Sequence, residues 1–322
     1  MSNYILRKGR NYLTDLVDGN AVYGYPGVYP GRIYFVNNIT GKSTNDGLSW
    51  ESALDQVDAA LLASETYRIT HATNNKVIRN IIYVQGTETA YEPMDQDFNV
   101  ADLIGIGNRS LLGGAAGNVH VGTGTSDGFA MTDLIAGWDT TLNKGGGLGI
   151  SVFNCHFAVA GSYWAVDLED ALESRFEDCT FLNNAAAADG CFRSTNNFAA
   201  NLIRNCHVGG DSGTPVDGFY FTGGVWNENV VEDNWGHVSR YGLYNACYLQ
   251  GGSVVRNNTL DGGTYGIYDA STGGTGGMYV ANYVSGSTAG ITVTTNPTKR
   301  AIGNWSMSNG TFGWYTAYGG TA

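Results

Sequence analysis

Two carboxylates have the types and the spacing for acid–base chemistry. Asp189 and Asp217 each precede a glycine that recurs along the second half of the chain, Gly190 and Gly218. If these glycines lie in successive coils of a stacked chain, the carboxylates are about 5 Å apart, close to a retaining glycosidase pair. The structural alternative is a pair of solvated carboxylates at bends, which prevent edge-to-edge aggregation. Because nothing else in the sequence completes a catalytic constellation, the structural interpretation is favoured.

A stripe of aromatic residues follows the same glycines. If the position directly after each glycine points inward, the next position points outward from one sheet. An outward aromatic stripe predicts either a groove that stacks on sugar rings or an interface with another subunit, because tyrosine combines apolar area with a polar tip. The alternative is isolated surface tyrosines that fill gaps between neighbours. The residues at this position are Phe192, Tyr220, Tyr244, Tyr268, Thr292 and Tyr315.

Histidines and cysteines give no sign of a metal site. His237 is interpreted as an exposed strand residue, and His156 and His207 occupy one outward position two coils apart, too far to chelate one ion. The spacing of the five cysteines and five histidines does not fit zinc. We therefore expect neither a metal nor a cofactor.

The element that positions these residues is a repeat centred on an asparagine or aspartate. Its spacings are 24, 27, 28, 24, 25 and 22 residues, which is typical of a solenoid. Asparagine suits a bend between two strands because it tolerates the left-handed backbone region. The repeated residues are Asn154, Asp178, Asn205, Asp233, Asn257, Asn282 and Asn304.

Alternation around the repeated residue predicts which side chains are inside. The position two before it is always apolar, and the position one before it is mixed, which is the period-two pattern of a half-buried strand. The position after it predicts an internal stack of the cysteines about 4.8 Å apart. That position holds Cys155, Cys179, Cys206, Asn234, Asn258, Tyr283 and Trp305.

The fold class predicted is all-β: a single-stranded, right-handed parallel β-helix with a short N-terminal arm and a capping helix. Leucine-rich repeats share the period, but they need leucines at fixed offsets and a helix or equivalent on the convex side. Here the connectors are short and rich in Gly, Ser, Thr and Asn, without helical periodicity after residue 150. Forty-seven glycines and only 14% charged residues also suit stacked strands and tight bends.

Charge and hydropathy exclude several partners. A net charge of −12 argues against nucleic acid and against an anionic membrane surface. Residues 1–10 lack the apolar core of a signal peptide, and no run of about 18 apolar residues is present, so no membrane insertion is expected. The odd number of cysteines predicts reduced thiols in a protein assembled in a cytoplasm.

The chain before the repeats divides into an arm and a cap. Residues 1–30 are predicted to be an arm that docks on a larger assembly through Arg7, Lys8 and Arg10; the alternative is a disordered terminus. Residues 31–105 carry the opening strands and a short amphipathic helix, and residues 106–322 carry the coils and the C-terminal end. The helix is predicted from Ser49 as N-cap, followed by Trp50, Ala53, Leu54, Val57 and Leu61.

The opening phrase resembles a known family. Tyr34-Phe-Val-Asn, Asn45-Asp-Gly, Trp50, Ala53-Leu54 and Ile81-Ile-Tyr-Val, together with the asparagine repeat, are similar to pectate-lyase-like right-handed β-helices. Bacteriophage tailspikes and related virion proteins are similar, over roughly residues 31–315. The polygalacturonase motifs of this fold (Asn-Thr-Asp, Asp-Asp, Gly-His-Gly and Arg-x-Lys) are not found.

The resemblance and the missing motifs predict a non-enzymatic structural protein of a bacteriophage virion surface, a capsid decoration or a short spike. It would be assembled in the host cytoplasm, form a homotrimer, and contact virion proteins through the arm. One alternative is a tailspike-like depolymerase that cleaves a bacterial surface polysaccharide with Asp189 and Asp217. Another is a spike that binds host glycan on the tyrosine stripe without cleaving it.

Overall fold

In the computed structural model, the described residues are 6–7, 10–11, 28–71, 77–87, 91, 101–106, 119–121, 131–136, 151–159, 164–183, 190–210, 214–272, 276–293, 299–308 and 311–318. They form thirty strands and one helix, α1 (Val57–His71). The strands are β1 (Leu6–Arg7), β2 (Arg10–Asn11), β3 (Val28–Val36), β4 (Val77–Gln85), β5 (Ala101–Ile106), β6 (Val119–Val121), β7 (Met131–Ala136), β8 (Ser151–Phe153), β9 (Cys155–Val159), β10 (Val166–Leu172), β11 (Arg175–Glu177), β12 (Thr180–Asn183), β13 (Phe192–Ser194), β14 (Phe198–Ala199), β15 (Leu202–Arg204), β16 (His207–Gly209), β17 (Asp217–Phe221), β18 (Val225–Asn227), β19 (Val230–Glu232), β20 (Trp235–Val238), β21 (Tyr241–Asn245), β22 (Tyr248–Leu249), β23 (Ser253–Arg256), β24 (Thr259–Gly262), β25 (Tyr265–Asp269), β26 (Gly277–Val280), β27 (Tyr283–Gly286), β28 (Ala289–Val293), β29 (Arg300–Ser308) and β30 (Thr311–Tyr318).

The architecture is the predicted right-handed parallel β-helix of about six turns. Each coil contributes strands to two sheets, one of ten strands and one of eighteen, and the coil-to-coil pairings are parallel. Within the coils from β8 to β29, a short strand, a one-residue bend and a second short strand repeat in the larger sheet. The fold class expected from the repeat is confirmed.

The one-residue bend is in the left-handed region, as the asparagine repeat predicts. Asn154, Asp178, Asn205, Asp233 and Asn257 have φ between 53° and 57°. In the last two coils, however, the bend is at Ala281 (φ 53°) and Gly303 (φ 62°). The predicted phase is therefore wrong by one residue at Asn282 and Asn304, and glycine or alanine replaces asparagine at the bend.

The shift corrects the inward positions of the last two coils. Tyr279 and Ala301 are buried, whereas Val280 and Ile302, predicted to be inside, are partly exposed. Tyr283, predicted to follow the bend, belongs to the next outward position, as does Trp305. The inward position after the bend is instead occupied by Cys155, Cys179, Cys206, Asn234, Asn258, Asn282 and Asn304.

The four asparagines of that column form a continuous hydrogen-bonded ladder. Oδ1 of Asn258 accepts from the backbone and side-chain N–H groups of Asn234, each at 3.0 Å. Nδ2 of Asn258 donates to Oδ1 of Asn282 (2.9 Å) and to the carbonyl of Val231 (3.0 Å). The same pattern continues to Asn304, and Cys206 donates its backbone N–H to Asn234. Each buried asparagine side chain therefore hydrogen-bonds the backbone on either side of the bend in the preceding coil.

The cysteine side chains lie inside the β-helix. All five are buried, and the flanking strand registers place Cys155, Cys179 and Cys206 at one position of consecutive coils, as predicted. Burial raises the pKa of Cys191 to about 12, and burial with the nearby Asp269 does the same for Cys247.

We expect these thiols to be unreactive in the native protein. At pH 8 a thiol of pKa about 12 is ionised to roughly one part in 10⁴, against about a quarter for a free thiol of pKa about 8.5. Because all five side chains are also buried, a chromogenic disulfide should label none of them before unfolding and all five in urea. The matched control is Ser287→Cys, at an exposed position, which should add one fast-reacting thiol. A native wild type that reacts as fast as this control contradicts the burial.

A ladder of charges covers the outside of the larger sheet. Arg204 pairs with Glu177 in the preceding coil and with Glu232 in the next, and Arg256 pairs with Glu232 at 2.6 Å. The two glutamates are buried beneath these guanidinium groups. The sequence predicted solvent-compatible residues here, and the register shows that alternating signs bond across coils.

The capping helix exists, but it begins later than predicted. Helix α1 starts at Val57 and packs against β3 and β4 with Val57, Ala60 and Leu61 buried. Ser49 accepts the backbone N–H of Ser52 in a turn instead of capping the helix. Ala53 and Leu54 are buried before the helix, where Leu54 bridges to Val36.

Strand β3 overlaps the end of the predicted arm. It begins at Val28, within residues 1–30, and pairs parallel with β4, with a register shift between Pro30 and Ile33. The shift follows from Pro30, which has no N–H to donate to the ladder. Arg7 and Arg10 pair across the β1–β2 hairpin, and Lys8 lies outside the described residues.

Candidate functional site

The predicted tyrosine stripe lies on the outer face of the ten-stranded sheet. Strand register aligns Tyr220, Tyr244 and Tyr268 in consecutive coils, followed by Thr292. Tyr241 and Tyr265 form a second column beside them, followed by Ala289. All five tyrosines are partly exposed, and we call them the tyrosine cluster.

The rings of the cluster stack on one another. The centroid distance is 4.7 Å for Tyr220–Tyr244 with planes 15° apart, and 5.7 Å for Tyr241–Tyr268 with planes 12° apart. Within each coil the two rings are 4.8 Å apart, for Tyr241–Tyr244 and for Tyr265–Tyr268. Because neighbouring rings cover one another's faces, the cluster presents mainly ring edges and hydroxyl groups to its surroundings.

Cationic and indole groups extend the cluster at its first coil. The Trp164 ring centroid lies 5.5 Å from that of Tyr220 with planes tilted by 38°, and the guanidinium of Arg193 lies 5.2 Å from the Trp164 ring. The Arg240 guanidinium lies 4.8 Å from the Tyr241 ring, within cation–π distance. Burial is the largest cause of the raised pKa of Tyr220, Tyr241 and Tyr244, so these phenols are neutral at physiological pH.

Asp217 is inaccessible to a substrate. Its side chain has 0% exposure, and both carboxylate oxygens accept from Arg240, at 2.9 Å from Nε and 2.5 Å from Nη2. This bond is the first cause of the raised pKa of Arg240. Asp189, the predicted partner of Asp217, lies outside the described residues. The geometry at Asp217 is that of a structural ion pair that also orients Arg240 over the tyrosines.

Two members of the predicted stripe are elsewhere. Phe192 is fully buried, because the register pairs it with Phe219 and places Arg193 beside Tyr220. Gly190 and Gly218 are 28 residues apart, and aligning the two coils on these glycines gives a register that is wrong by one residue. Tyr315 is in β30, which pairs antiparallel with β29 in the larger sheet. It therefore does not continue the column of Tyr268.

Sequence reasoning missed an exposed aromatic row on the larger sheet. Trp235 (51% exposed) and Tyr283 (48%) are separated by Thr259, which is also exposed. The row could have been found from the residues two positions after each left-handed bend. Placing the bend at Asn282 instead of Ala281 excluded Tyr283 from that position. In strand register this row is His207, Trp235, Thr259, Tyr283 and Trp305.

A polar row runs beside it, two residues further along the same strands. His237 and Asp261 are in register, and Asp261 is in register with Ser285. Nδ1 of His237 is 2.7 Å from Oδ2 of Asp261, and Ser285 donates to Oδ1 of Asp261 at 2.6 Å. Because the carboxylate lies between the hydroxyl and the imidazole, the histidine does not activate the serine, and the row lacks the order of a nucleophilic triad.

The described residues show neither a metal-ligand cluster nor a membrane-spanning helix. No group of three or more histidine, cysteine, aspartate or glutamate side chains among these residues could hold a metal ion. In the same part of the chain, no helix has the length and apolar character needed to cross a membrane.

Comparison with known proteins assigns the chain to no family. No family profile matches the chain, and the curated proteins also give no match. Among solved structures, the chain is similar to the GH136 lacto-N-biosidase from Eubacterium ramulus, with 10% identity and a TM-score of 0.31. The similarity covers 85% of this chain and 57% of that enzyme.

Proposed function

We propose that the protein is a non-enzymatic structural protein whose copies associate side by side through the tyrosine cluster. The observation that carries this proposal is the continuous cluster of five partly exposed tyrosines over three consecutive coils. A strip parallel to the solenoid axis can meet its own copies around a cyclic axis, and the resemblance to bacteriophage spikes, which are commonly trimers, favours a homotrimer. Aromatic residues with polar tips are enriched at such interfaces.

Ring geometry favours an interface over a sugar-stacking groove at this strip. A sugar stacks on an open aromatic face, whereas Tyr220, Tyr241 and Tyr244 have tyrosine neighbours at 4.7–5.7 Å. The exposed edges and hydroxyls are suited to interdigitation with the same groups of another copy, which would complete their burial.

The depolymerase alternative receives no support from Asp217. A general acid or a nucleophile must reach the glycosidic bond, and the Asp217 carboxylate is fully buried against Arg240. Asp167 likewise forms an ion pair, with Arg193. We therefore interpret Asp217 and Asp167 as structural carboxylates on the outside of the β-helix.

The setting that we propose is the surface of a bacteriophage virion, as a capsid decoration or short spike assembled in the host cytoplasm. Its support is the resemblance of the opening phrase to tailspike β-helices and the basic cluster Arg7, Lys8 and Arg10, which would contact other virion proteins. Adhesion to a host surface glycan fits the same setting.

Replacing two central tyrosines tests the interface. Tyr244→Ser with Tyr268→Ser removes two rings from the middle of the strip, and we expect the trimer to dissociate at least tenfold more readily in sedimentation velocity. Tyr248→Ser is the matched control, because Tyr248 is 50% exposed on β22 and outside the cluster. An unchanged trimer in the double variant would show that the interface is elsewhere.

A further inference from the structure

The exposed aromatic row on the larger sheet has an open gap between two rings. Trp235 and Tyr283 are in register two coils apart, with Thr259 at the position between them. Because coils repeat every 4.8 Å or so, the two ring levels are about 9–10 Å apart. Thr259 is too short to fill that space, and this accounts for the half-exposed Trp235 and Tyr283.

One wall of the gap is fixed by an aromatic contact. His207, one coil before Trp235, stacks on the indole at 3.6 Å with planes 13° apart. This stacking covers the Trp235 face on the His207 side and sets the plane of the ring. The opposite indole face is directed toward the level of Thr259 and Tyr283.

The width of the gap selects the shape of the occupant. Carbon contacts of about 3.5–4.0 Å on each side use roughly 7–8 Å of the spacing. A flat ring such as a nucleobase leaves about 2 Å unfilled, whereas a puckered saturated ring with axial substituents has that thickness. Pyranose rings have this shape, with apolar C–H faces for the two aromatic walls and hydroxyls at the rim.

The polar row supplies acceptors for those hydroxyls. Asp261 and His237 are exposed two residues along the strands from Thr259 and Trp235, and they hydrogen-bond each other. The second ring nitrogen of His237, Nε2, is a further polar atom that can hydrogen-bond a sugar hydroxyl. The Asp261 carboxylate and the chain's net charge of −12 disfavour an anionic sugar.

We propose that the Trp235–Thr259–Tyr283 gap is a binding subsite for one neutral pyranose ring of an oligosaccharide or polysaccharide. Trp235 and Tyr283 contact the two faces of the ring, Thr259 forms the floor, and Asp261 and His237 hydrogen-bond the hydroxyl groups. The subsite is on a different sheet from the tyrosine cluster and binds without cleavage. It is independent of the subunit interface.

The test is a printed array of neutral oligosaccharides of glucose, galactose, mannose and rhamnose, with uronate-containing oligosaccharides alongside. Wild type should bind neutral members, and Thr259→Trp, which fills the gap, should lower the affinity for them about tenfold or more. Trp235→Ala should do the same by removing one wall. Tyr248→Ala is the exposed aromatic control and should bind as wild type.

Thermal melts ensure that a loss of binding is not a loss of fold, since both changed side chains are exposed. Wild type that binds no array member, or only uronate-containing members, overturns the proposal. Equal binding by wild type and Thr259→Trp also overturns it. Because the trimer is measured separately by sedimentation, these outcomes leave the interface proposal unaffected.

Discussion

Asn258→Ala should lower the free energy of unfolding by about 3–5 kcal/mol. The side chain is fully buried and its Oδ1 accepts two N–H groups of Asn234. Its removal leaves both donors without an acceptor inside the coil, at about 1–3 kcal/mol each, and adds a small cavity. Urea unfolding followed by circular dichroism measures the change, provided that the slope with denaturant is unaltered.

The neighbouring asparagine provides the control. Asn257 is exposed and has φ of 55°, a conformation that glycine adopts readily. Asn257→Gly should therefore change stability by no more than about 0.5 kcal/mol. If both variants unfold at the same urea concentration, the asparagine ladder does not stabilise the solenoid.

Lys299→Met should have an effect of similar size near the C-terminal end of the solenoid. Lys299 and Asp269 are both fully buried, with Nζ 3.2 Å from Oδ1 of Asp269 and 2.8 Å from the carbonyl of Ser271. Tyr279 donates to the other carboxylate oxygen at 2.7 Å. Removing the lysine leaves an uncompensated buried charge, which costs about 3–5 kcal/mol.

A double variant separates this electrostatic cost from lost packing. Asp269→Asn with Lys299→Met keeps an acceptor for Ser271 and removes the buried charge, so most of the stability should return. A double variant as unstable as Lys299→Met at pH 7 would assign the loss to packing.

Period and composition were sufficient to predict the β-helix, the left-handed bends and the column of Tyr220, Tyr244 and Tyr268. The sequence pattern of these features recurs in successive coils, so each occurrence supports the same prediction. The phase failed at Ala281 and Gly303, because asparagine suits both the bend and the buried ladder. That single displacement concealed Tyr283 and the gap beside Trp235.

Ion pairs between residues of different coils could not be predicted from the sequence, for a physical reason. Asp217 and Arg240 are 23 residues apart, and Asp269 and Lys299 are 30 residues apart. Such pairs depend on the exact register of coils whose lengths vary from 22 to 28 residues. An error of one residue exchanges the inward and outward faces, as Phe192 shows.

Association through the tyrosine cluster is the central claim, and the molar mass of the wild-type chain in solution tests it most directly. Light scattering coupled to size exclusion, at micromolar protein, should give three copies of the 34.3 kDa chain, 3 × 34.3 or about 103 kDa. A single species of 34.3 kDa at that concentration contradicts the account.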